Sequence, residues 1–244
     1  MAADLSQFID IHVHILPGID DGPRNLDESM AMAKAYVNIG VSRIIATPHF
    51  IPGTAWAAGL DCIADKLREL KELFARKDIP LTIFPGMEIA YHKKLMNRLE
   101  HGMLQSLGKS DVYLLEPSFS DSSNALLECA CQMMASGRGV ILAHPERIPS
   151  FQETTKPLVD LVDQGLLVQI NIGSLLNKFG ESSKKLAMHL IEKSSVHFLA
   201  SDSHATTRRC PPSRIEWEVL KGLLGDDLLT RLCVTNPRSL VNYN

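Results

Sequence analysis

Side chains that can bind a metal ion or move a proton recur along the 244-residue chain, and five of its nine histidines lie in segments that also carry Asp or Glu. The set comprises His12, His14, His49, Glu88, Glu116, His144, Asp202 and His204, with Asp20 and Asp21 soon after the first pair. Imidazoles and carboxylates suit Mn²⁺, Fe²⁺ or Zn²⁺, and the absence of cysteine from the set argues against a closed structural zinc site. The set is too large for one ion, and it predicts about two or three ions bridged by carboxylate.

Such a cluster predicts hydrolytic chemistry, because divalent ions lower the pKa of a bound water and hold the oxygens of a displacement. Two arginine sites predict that the substrate carries a phosphate group: Arg147 follows His144 in HPER, and Arg208 and Arg209 follow His204. A guanidinium can hold phosphate oxygens through paired hydrogen bonds and offset developing charge. The chain contains neither G-x-G-x-x-G nor G-x-x-x-x-G-K-[ST], the glycine-rich motifs that bind dinucleotides and nucleotides.

Seven short runs rich in Ile, Val, Leu and Phe predict strands that are covered on both faces, as in a parallel sheet. They span residues 8–15, 41–50, 80–89, 111–119, 139–147, 166–173 and 196–204. Helical patterns cover residues 25–39, 59–77, 122–136, 153–164, 182–193 and 213–222. This alternation predicts β-α units with right-handed crossovers, in a single domain over residues 1–244.

The candidate ligands lie where the predicted strands end. Six of the seven strands finish in such a residue, and the strand over 166–173 carries Asn171 instead. The carboxyl ends of the strands of a parallel barrel meet at one face, where active sites form. His12 and His14 are two residues apart and so share a face of a strand, and Asp202 and His204 repeat that spacing.

Composition excludes several classes of protein. Net charge is −3 with no basic stripe, which disfavours a nucleic-acid partner, and 45% hydrophobic residues disfavour a disordered chain. No apolar run reaches membrane-spanning length, and the first fourteen residues lack the pattern of a signal peptide. The five cysteines form no C-x-x-C pair, which predicts a reduced, cytoplasmic protein without membrane insertion.

The elements DIHVH, ILPGIDDG, ATPH, GMEI, LLE, AHPER and ASDSH resemble the PHP (polymerase and histidinol phosphatase) superfamily. More narrowly, they resemble its bacterial manganese-dependent protein-tyrosine phosphatases of the CpsB/CapC type, which are associated with capsule and exopolysaccharide synthesis. The resemblance runs from about residue 8 to residue 212 and into the C-terminal helices. It implies a distorted (β/α)7 barrel, a trinuclear metal centre with Mn²⁺, and hydrolysis of phosphotyrosine on a bacterial tyrosine autokinase.

The resemblance also implies roles for individual side chains. The eight metal ligands would be His12, His14, His49, Glu88, Glu116, His144, Asp202 and His204, with Glu88 bridging. Asp20 or Asp21 would assist as a ligand or proton carrier, and Arg147 and Arg209 would bind phosphate. Residues 205–209 depart from the family pattern, which leaves open whether Arg208 or Arg209 contacts the substrate. Residues 52–56 also depart from it, at the rim that would receive tyrosine.

We therefore expect a metal-dependent phosphomonoesterase that acts on phosphotyrosine in protein. A tyrosine phenol has a pKa of about 10, so its departure needs little general-acid help. A small-molecule phosphatase of the same superfamily, of the histidinol-phosphate type, is the alternative, and the rim of the pocket decides between them. A nuclease is disfavoured by the charge, and a non-catalytic interaction module by the complete ligand set.

Overall fold

The structure is a computed structural model that describes residues 4–117 and 123–241. Its strands are β1 Ile9–Val13, β2 Arg43–Ala46, β3 His49–Phe50, β4 Thr82–Pro85, β5 Glu88–Ala90, β6 Val112–Glu116, β7 Gly139–Ala143, β8 Leu167–Asn171 and β9 Phe198–Ala200. Its α-helices are α1 Leu26–Ile39, α2 Leu60–Arg76, α3 Leu95–Glu100, α4 Ser123–Ala135, α5 Pro149–Glu153, α6 Lys156–Val162, α7 Ile172–Leu175, α8 Glu181–Glu192, α9 Arg214–Leu224, α10 Asp226–Thr230 and α11 Asn236–Val241. Short 3₁₀ turns at Leu5–Gln7 and Pro145–Arg147 and a π-helical turn at Arg231–Thr235 complete the elements.

The strands pair in parallel in two sheets, with the orders β1-β2-β4 and β3-β5-β6-β7-β8-β9. The chain passes directly from β2 to β3 and from β4 to β5, so the two sheets are consecutive parts of one layer. The ends of this layer meet, because Val13 forms a parallel bridge with Ser203. His14 N donates to Ser203 O at 2.9 Å, and Asp202 N donates to His12 O at 3.0 Å. The strands therefore follow one another around a ring, and the predicted α/β class is confirmed.

Two of the seven predicted strands are each divided into two. The run 41–50 breaks at Thr47 and Pro48, and Pro48 has no N–H to donate to a ladder. The run 80–89 breaks at Gly86 and Met87. A Cβ on Gly86 would lie 2.7 Å from Ile45 Cγ2 and 3.0 Å from Ala46 O, so the end of β2 leaves little room for a side chain at this break.

Four predicted strands end earlier than their apolar runs suggest, among them 8–15, where β1 ends at Val13, and 166–173, where β8 ends at Asn171 and α7 begins. The runs 139–147 and 196–204 were predicted as strand throughout, but β7 ends at Ala143 and β9 ends at Ala200. The reason is a left-handed backbone, with φ of 32° at His144 and 55° at Asp202, which no strand accommodates. Residues 118–119 of the predicted fourth strand and residue 122 of the helix after it lie outside the described residues.

Each of the six helical patterns contains an α-helix, and the short helices α3, α5, α7, α10 and α11 were not predicted. The residues that cap helix α1 explain why its start and end could be predicted from the sequence. Asn25 accepts a hydrogen bond from Glu28 N, and Gly40 closes the helix with a φ of 100°. A capping box of Asn25 and Glu28 is only half formed, because the Glu28 carboxylate accepts from Arg24 instead of from Asn25 N. Across the described ranges, no helix combines the length and apolarity needed to span a membrane.

The apolar side chains form two clusters. The larger one packs the strands against the helices. The smaller one draws on strands around the ring and on α11, and contains Ile9, Ile11, Ile45, Leu107, Leu114, Ile141, Ala143, Phe198, Ala200, Leu240 and Val241. Polar positions follow these apolar ones along the same strands, as Glu116 follows Leu114. The inner apolar cluster therefore lies beneath the candidate ligands.

An irregularity in β1 directs its histidines. Ile9 and Ile11 belong to the inner cluster, whereas the next residue, His12, reaches the candidate ligands. The pairing register between β1 and β2 shifts between Asp10 and Val13. A bulge of this kind re-aims a side chain within a strand, which explains how two successive residues both reach the interior of the ring.

A buried polar network joins the first strand to the last. Tyr36 Oη, on α1, donates to Asp10 Oδ2 at 2.8 Å and lies 3.0 Å from Ser201 Oγ. Asp10 Oδ1 accepts from Ser201 N at 3.1 Å. Asp10 and Tyr36 are fully buried, so the bonds that satisfy them also hold β1 against the segment after β9.

Replacing Tyr36 with phenylalanine should lower the free energy of unfolding by about 1–3 kcal/mol, because it removes a donor from a buried carboxylate. The measurement is urea denaturation followed by circular dichroism. Val219→Ala, at a position that is 53% exposed on α9, is the control and should stay within about 0.5 kcal/mol of the unaltered protein. Equal midpoints for Tyr36→Phe and the unaltered protein would contradict this account of the network.

Candidate metal centre

The structure brings the eight predicted ligands together with Asp21 at one end of the ring of strands. Glu116 ends β6 as predicted, whereas His49 and Glu88 are the first residues of β3 and β5, because the two predicted strands break just before them. Their ligand atoms fall into four overlapping groups, and within each group the atoms lie within 4.8 Å of one another. The groups are His12, Glu88 and His144; His12, His14 and Asp202; His49, Glu88 and Glu116; and His14, Asp21, His49 and His204. Because the groups share members, they form one continuous cluster, as the positions of the residues at strand ends predict.

Glu88, on β5, lies at the centre of this cluster. Its Oε2 is 3.1 Å from both His12 Nε2 and His14 Nε2, and 2.9 Å from His49 Nδ1. Its Oε1 is 2.9 Å from His144 Nε2. The two oxygens thus face different sets of imidazoles, which is the arrangement that a carboxylate bridging two ions requires.

Several buried polar atoms of the cluster have no hydrogen-bond partner within residues 4–117 and 123–241, which fits a site for divalent cations. Among the described residues, Glu88 Oε2, Asp202 Oδ1, His49 Nδ1 and His204 Nε2 are buried atoms without a hydrogen-bond partner. His49 Nδ1 is nonetheless close to Glu88 Oε2, so the two atoms approach without the alignment of a hydrogen bond. Oxygen and nitrogen lone pairs that converge in this way fit a cation between them, and the mixed imidazole and carboxylate set suits a transition metal.

The charges in the cluster shift the pKa values of its members. Burial lowers the pKa of both His12 and His49. At His12 the charges of Glu88 and Asp202 outweigh the effect of burial. At His49 the carboxylates of Glu88 and Glu116 do so. The pKa of His12 rises to about 9 and that of His49 to about 12. Burial acts against ionisation of Glu88, yet His12 and His49 hold its pKa well below the ordinary value. The carboxylates therefore favour protonation of the imidazoles in the absence of a metal ion, and a bound cation would compete with those protons.

Hydrogen bonds from the Nδ1 atoms of His12 and His14 fix the orientation of these two candidate ligands. His12 Nδ1 donates to Gln169 Oε1 at 3.0 Å, and His14 Nδ1 donates to Asp20 Oδ2 at 2.8 Å. Both rings therefore direct Nε2 towards Glu88. Gln169 Nε2 donates in turn to Asn171 Oδ1 at 2.8 Å. Hydrogen bonds of this kind set the tautomer and the angle of a metal-binding imidazole.

The two loop aspartates differ in position. Asp20 lies behind His14 and also accepts hydrogen bonds from the backbone of Gly22 and His49. Asp21 faces the cluster, with Oδ1 3.2 Å from His204 Nε2 and 3.4 Å from His49 Nε2. Burial raises the pKa of Asp21, but the close approach of His204 together with the nearby His14 and His49 outweighs it and holds the pKa of this carboxyl below its ordinary value. Burial and the nearby His14 lower the pKa of His204 to about 4.

Two arginines border the cluster. Arg147 Nη1 donates to Asp202 Oδ2 at 3.1 Å, and Arg209 Nη2 pairs with the same oxygen. Arg209 Nε is buried and has no partner among the described residues, which leaves a donor for a ligand oxygen. Arg208 is exposed. Within the described residues it does not line the cavity into which the cluster opens, whereas Arg147 and Arg209 do.

The cluster opens into a cavity of about 470 Å³. Its charged and polar lining consists of Asp21, His49, His92, Glu116, Arg147 and Arg209. The remaining lining is apolar or aromatic and consists of Ile51, Pro52, Trp56, Ala90, Tyr91 and Pro117. The cavity thus combines a place for an anion with an apolar wall from the segments after β3 and β5.

Asp202 and His204 lie side by side, with Oδ1 and Nδ1 3.6 Å apart, but strand geometry does not place them there. Asp202 has a left-handed backbone beyond the end of β9, so the reason given for this pair from the sequence was wrong. The turn that follows is closed by His204 N, which donates to Arg209 O at 2.8 Å.

Several residues that shape the site were not identified from the sequence. Gln169 and Asn171 alternate with apolar residues along the buried strand β8, and that alternation was an available signal. Glu146, within HPER, is fully buried and accepts from Asn171 N at 2.9 Å and from Ser174 Oγ at 2.6 Å. Burial raises the pKa of the Glu146 carboxyl. This residue anchors the turn that carries His144 and Arg147.

The amino-acid sequence is similar to those of known proteins. A family model described as "Capsular polysaccharide synthesis, CpsB/CapC" matches residues 8–242. Tyrosine-protein phosphatase YwqE of Bacillus subtilis (strain 168) is 33% identical over 220 residues, which are 90% of this chain and 86% of YwqE. Tyrosine-protein phosphatase CpsB of Streptococcus pneumoniae is 29% identical over 238 residues, which are 96% of this chain and 98% of that protein.

Solved structures extend the comparison. A structure from work on YwqE of Bacillus subtilis and CpsB of Streptococcus pneumoniae, described as metal-dependent tyrosine phosphatases, matches with a TM-score of 0.87 and 32% identity. The match covers 96% of this chain and 93% of that one. A histidinol phosphate phosphatase from Lactococcus lactis matches with a TM-score of 0.59 and 13% identity, over 89% and 92% of the two chains, and so shares the fold.

Replacing Gln169 with alanine should weaken Mn²⁺ binding by about 10–100-fold, because His12 loses the acceptor that fixes its ring. Calorimetric titration of the metal-free protein with Mn²⁺ measures the change. Gln164→Ala is the matched control, since its amide donates to Asp160 O on an exposed surface. Equal Mn²⁺ affinities in the two variants would show that Gln169 does not orient a ligand.

Proposed function

The chain belongs to the CpsB/CapC family of capsular polysaccharide synthesis, and from this premise we propose that it is a metal-dependent phosphatase that removes phosphate from tyrosine in protein. The relatives YwqE and CpsB carry the name tyrosine-protein phosphatase, and both extend over most of this chain. The observation that carries the proposal is the cluster around Glu88 with Arg147 and Arg209 beside it. Cation-binding groups and phosphate-binding groups are thereby gathered at one cavity.

His12, His14, His49, Glu88, Glu116, His144, Asp202 and His204 would hold the ions, with Glu88 as the bridge. When bound, divalent ions would supply a water of lowered pKa and positive charge opposite the phosphate. Arg147 and Arg209 approach the cavity from different loops and so can bind different oxygens of one phosphate. The unpartnered Nε of Arg209 supports this assignment, because a buried donor without an acceptor is costly.

The two aspartates take separate roles in the proposal. Asp21 faces the cavity as an ionised carboxylate, so it can serve as a further ligand or accept a proton from the attacking water. Asp20 orients His14 through Nδ1 and so acts through that ligand. The tyrosine oxygen leaves as a phenolate or phenol with a pKa of about 10, so little general-acid help is needed.

The finer parts of the proposal concern the metal, the partner and the location. We assign Mn²⁺ as the ion, as the family resemblance implies. Fe²⁺ and Zn²⁺ are the alternatives, because imidazole and carboxylate ligands suit all three ions. A bacterial tyrosine autokinase is the proposed phosphoprotein substrate, in the regulation of capsule or exopolysaccharide synthesis. The protein is proposed to work in the cytoplasm as a single domain over residues 1–244. Of the two neighbouring arginines, we propose Arg209 as the one that contacts phosphate, because Arg208 does not line the cavity.

An activity panel on the Mn²⁺-loaded protein tests the proposed function. The panel compares a phosphotyrosine peptide, a phosphoserine peptide, histidinol phosphate and single-stranded DNA, each with and without chelator. We expect hydrolysis of the phosphotyrosine peptide, its loss in chelator, and its loss in His144→Ala, with exposed His101→Ala as the matched control. A preference for histidinol phosphate, or near-normal turnover by His144→Ala, would overturn the assignment.

Replacing Arg209 with alanine should reduce kcat/KM for a phosphotyrosine peptide by about 100-fold, because a charge-assisted contact to the phosphate is lost in the transition state. Arg208→Ala is the matched control, since it changes the same residue type one position away but on an exposed side chain. It should reduce kcat/KM by less than about twofold. A larger loss in Arg208→Ala than in Arg209→Ala would reverse the assignment of the two arginines.

A further inference from the structure

The loop after β3 holds a large aromatic side chain at the edge of the metal centre. The Trp56 indole lies at 10° to the imidazole plane of His49, with 5.5 Å between ring centroids. His49 faces both Glu88 and Asp21, so Trp56 lies directly beside the cluster. The Trp56 residue is nevertheless 37% exposed, so part of the indole is open to solvent beside the cluster.

The loop itself holds Trp56 in place. Ile51 N donates to Trp56 O at 2.7 Å, and Phe50 forms an antiparallel bridge with Ala57. Thr54 Oγ1 donates to Ile51 O at 2.8 Å and accepts from Trp56 N at 3.1 Å. These bonds turn the chain sharply and return it to β3. The indole is therefore presented by an ordered loop, which reduces the entropy lost when a ligand binds.

The cavity that Trp56 borders is larger than a phosphate needs. Arg147 and Arg209 line it together with the ligands Asp21 and His49, whereas Trp56 and Tyr91 belong to its apolar lining. A phosphate at the arginines leaves most of the volume of about 470 Å³ for the group that the phosphate carries. In phosphotyrosine that group is a flat ring, separated from phosphorus by one ester oxygen.

The geometry points to Trp56 as a specificity-determining residue whose indole, with Tyr91 as part of the same wall, binds the phenyl ring of the substrate. This inference rests on the proposed function and extends it to a preference for aryl over alkyl phosphate esters. Aromatic rings gain from offset or edge contacts beyond the burial of their area. An alkyl phosphate such as phosphoserine has no ring to place against the indole.

Trp56 could instead serve only to support His49. The two roles differ in which ligand loses affinity when the indole is removed. Loss of support for His49 would weaken every phosphate ligand, because His49 belongs to the metal centre. Loss of a ring-binding wall would weaken ligands that carry a ring and leave inorganic phosphate unaffected.

The test is calorimetric titration of the Mn²⁺-loaded protein with phenylphosphonate, methylphosphonate and inorganic phosphate, which needs no turnover. We expect the unaltered protein to bind phenylphosphonate more tightly than methylphosphonate. Trp56→Ala should raise the Kd for phenylphosphonate by about tenfold and change the other two by less than about twofold. Trp56→Phe should restore most of the difference, and exposed Val219→Ala should bind all three ligands as the unaltered protein does.

Metal content per chain, measured in each variant, shows whether His49 still holds its position. Equal losses for all three ligands, no loss for any, or no preference for phenylphosphonate in the unaltered protein would each overturn the inference. The activity panel decides the proposed function separately. The two results can differ. If the unaltered protein does not hydrolyse phosphotyrosine, the phosphatase assignment is wrong. If Trp56→Ala still loses affinity only for phenylphosphonate, the ring-binding wall stands.

Discussion

Two buried carboxylates, Glu88 and Asp202, impose the constraint on which the rest of the site depends. Both are fully buried, and an ionised carboxylate in the interior is strongly unfavourable unless opposite charge or hydrogen bonds compensate it. Four imidazole nitrogens surround Glu88, and three N–H donors converge on one oxygen of Asp202. One oxygen of each carboxylate still has no hydrogen-bond partner among the described residues. The requirement for cations is thus built into the way the strand ends meet.

The backbone accepts strain to meet this constraint. His144, Asp202 and Arg209 have φ values of 32°, 55° and 50°, in the left-handed region that costs an L-residue about 1–2 kcal/mol. Hydrogen bonds to neighbouring segments hold them there: His144 N donates to Gln169 O, Asp202 N to His12 O, and Arg209 O accepts from His204 N. Each of these bonds ends on a residue of the centre or on one that orients it, so backbone strain and ligand placement are maintained together.

The sequence allowed the candidate ligands to be predicted because each of them follows an apolar run that had to be a strand. His12, Glu88 and His144 needed no knowledge of side-chain conformation, since parallel strands bring their carboxyl ends together. The choice between Arg208 and Arg209 could not be made in the same way. It depends on the left-handed turn at Arg209, and a non-glycine residue gives no local signal for such a turn. The breaks at Thr47 and Gly86 differ in this respect, because Pro48 and Gly86 are local signals of an interrupted strand even though they lie within apolar runs.

Asp202 shows how the proposed metal-binding and phosphate-binding parts of the site are linked. Its Oδ2 accepts from Asn171 Nδ2 and pairs with Arg147 and Arg209, while its Oδ1 faces His12 and His14 at 3.5 Å. One carboxylate therefore places the arginines relative to the ions. Burial raises the pKa of Asp202, but the charges of His12 and Arg209 outweigh it and lower that pKa below its ordinary value. Its charge both attracts cations on one side and holds the guanidinium groups on the other. A change that moves Asp202 consequently disturbs both halves of the site at once, whereas a change at the cavity wall reaches only the group that the phosphate carries.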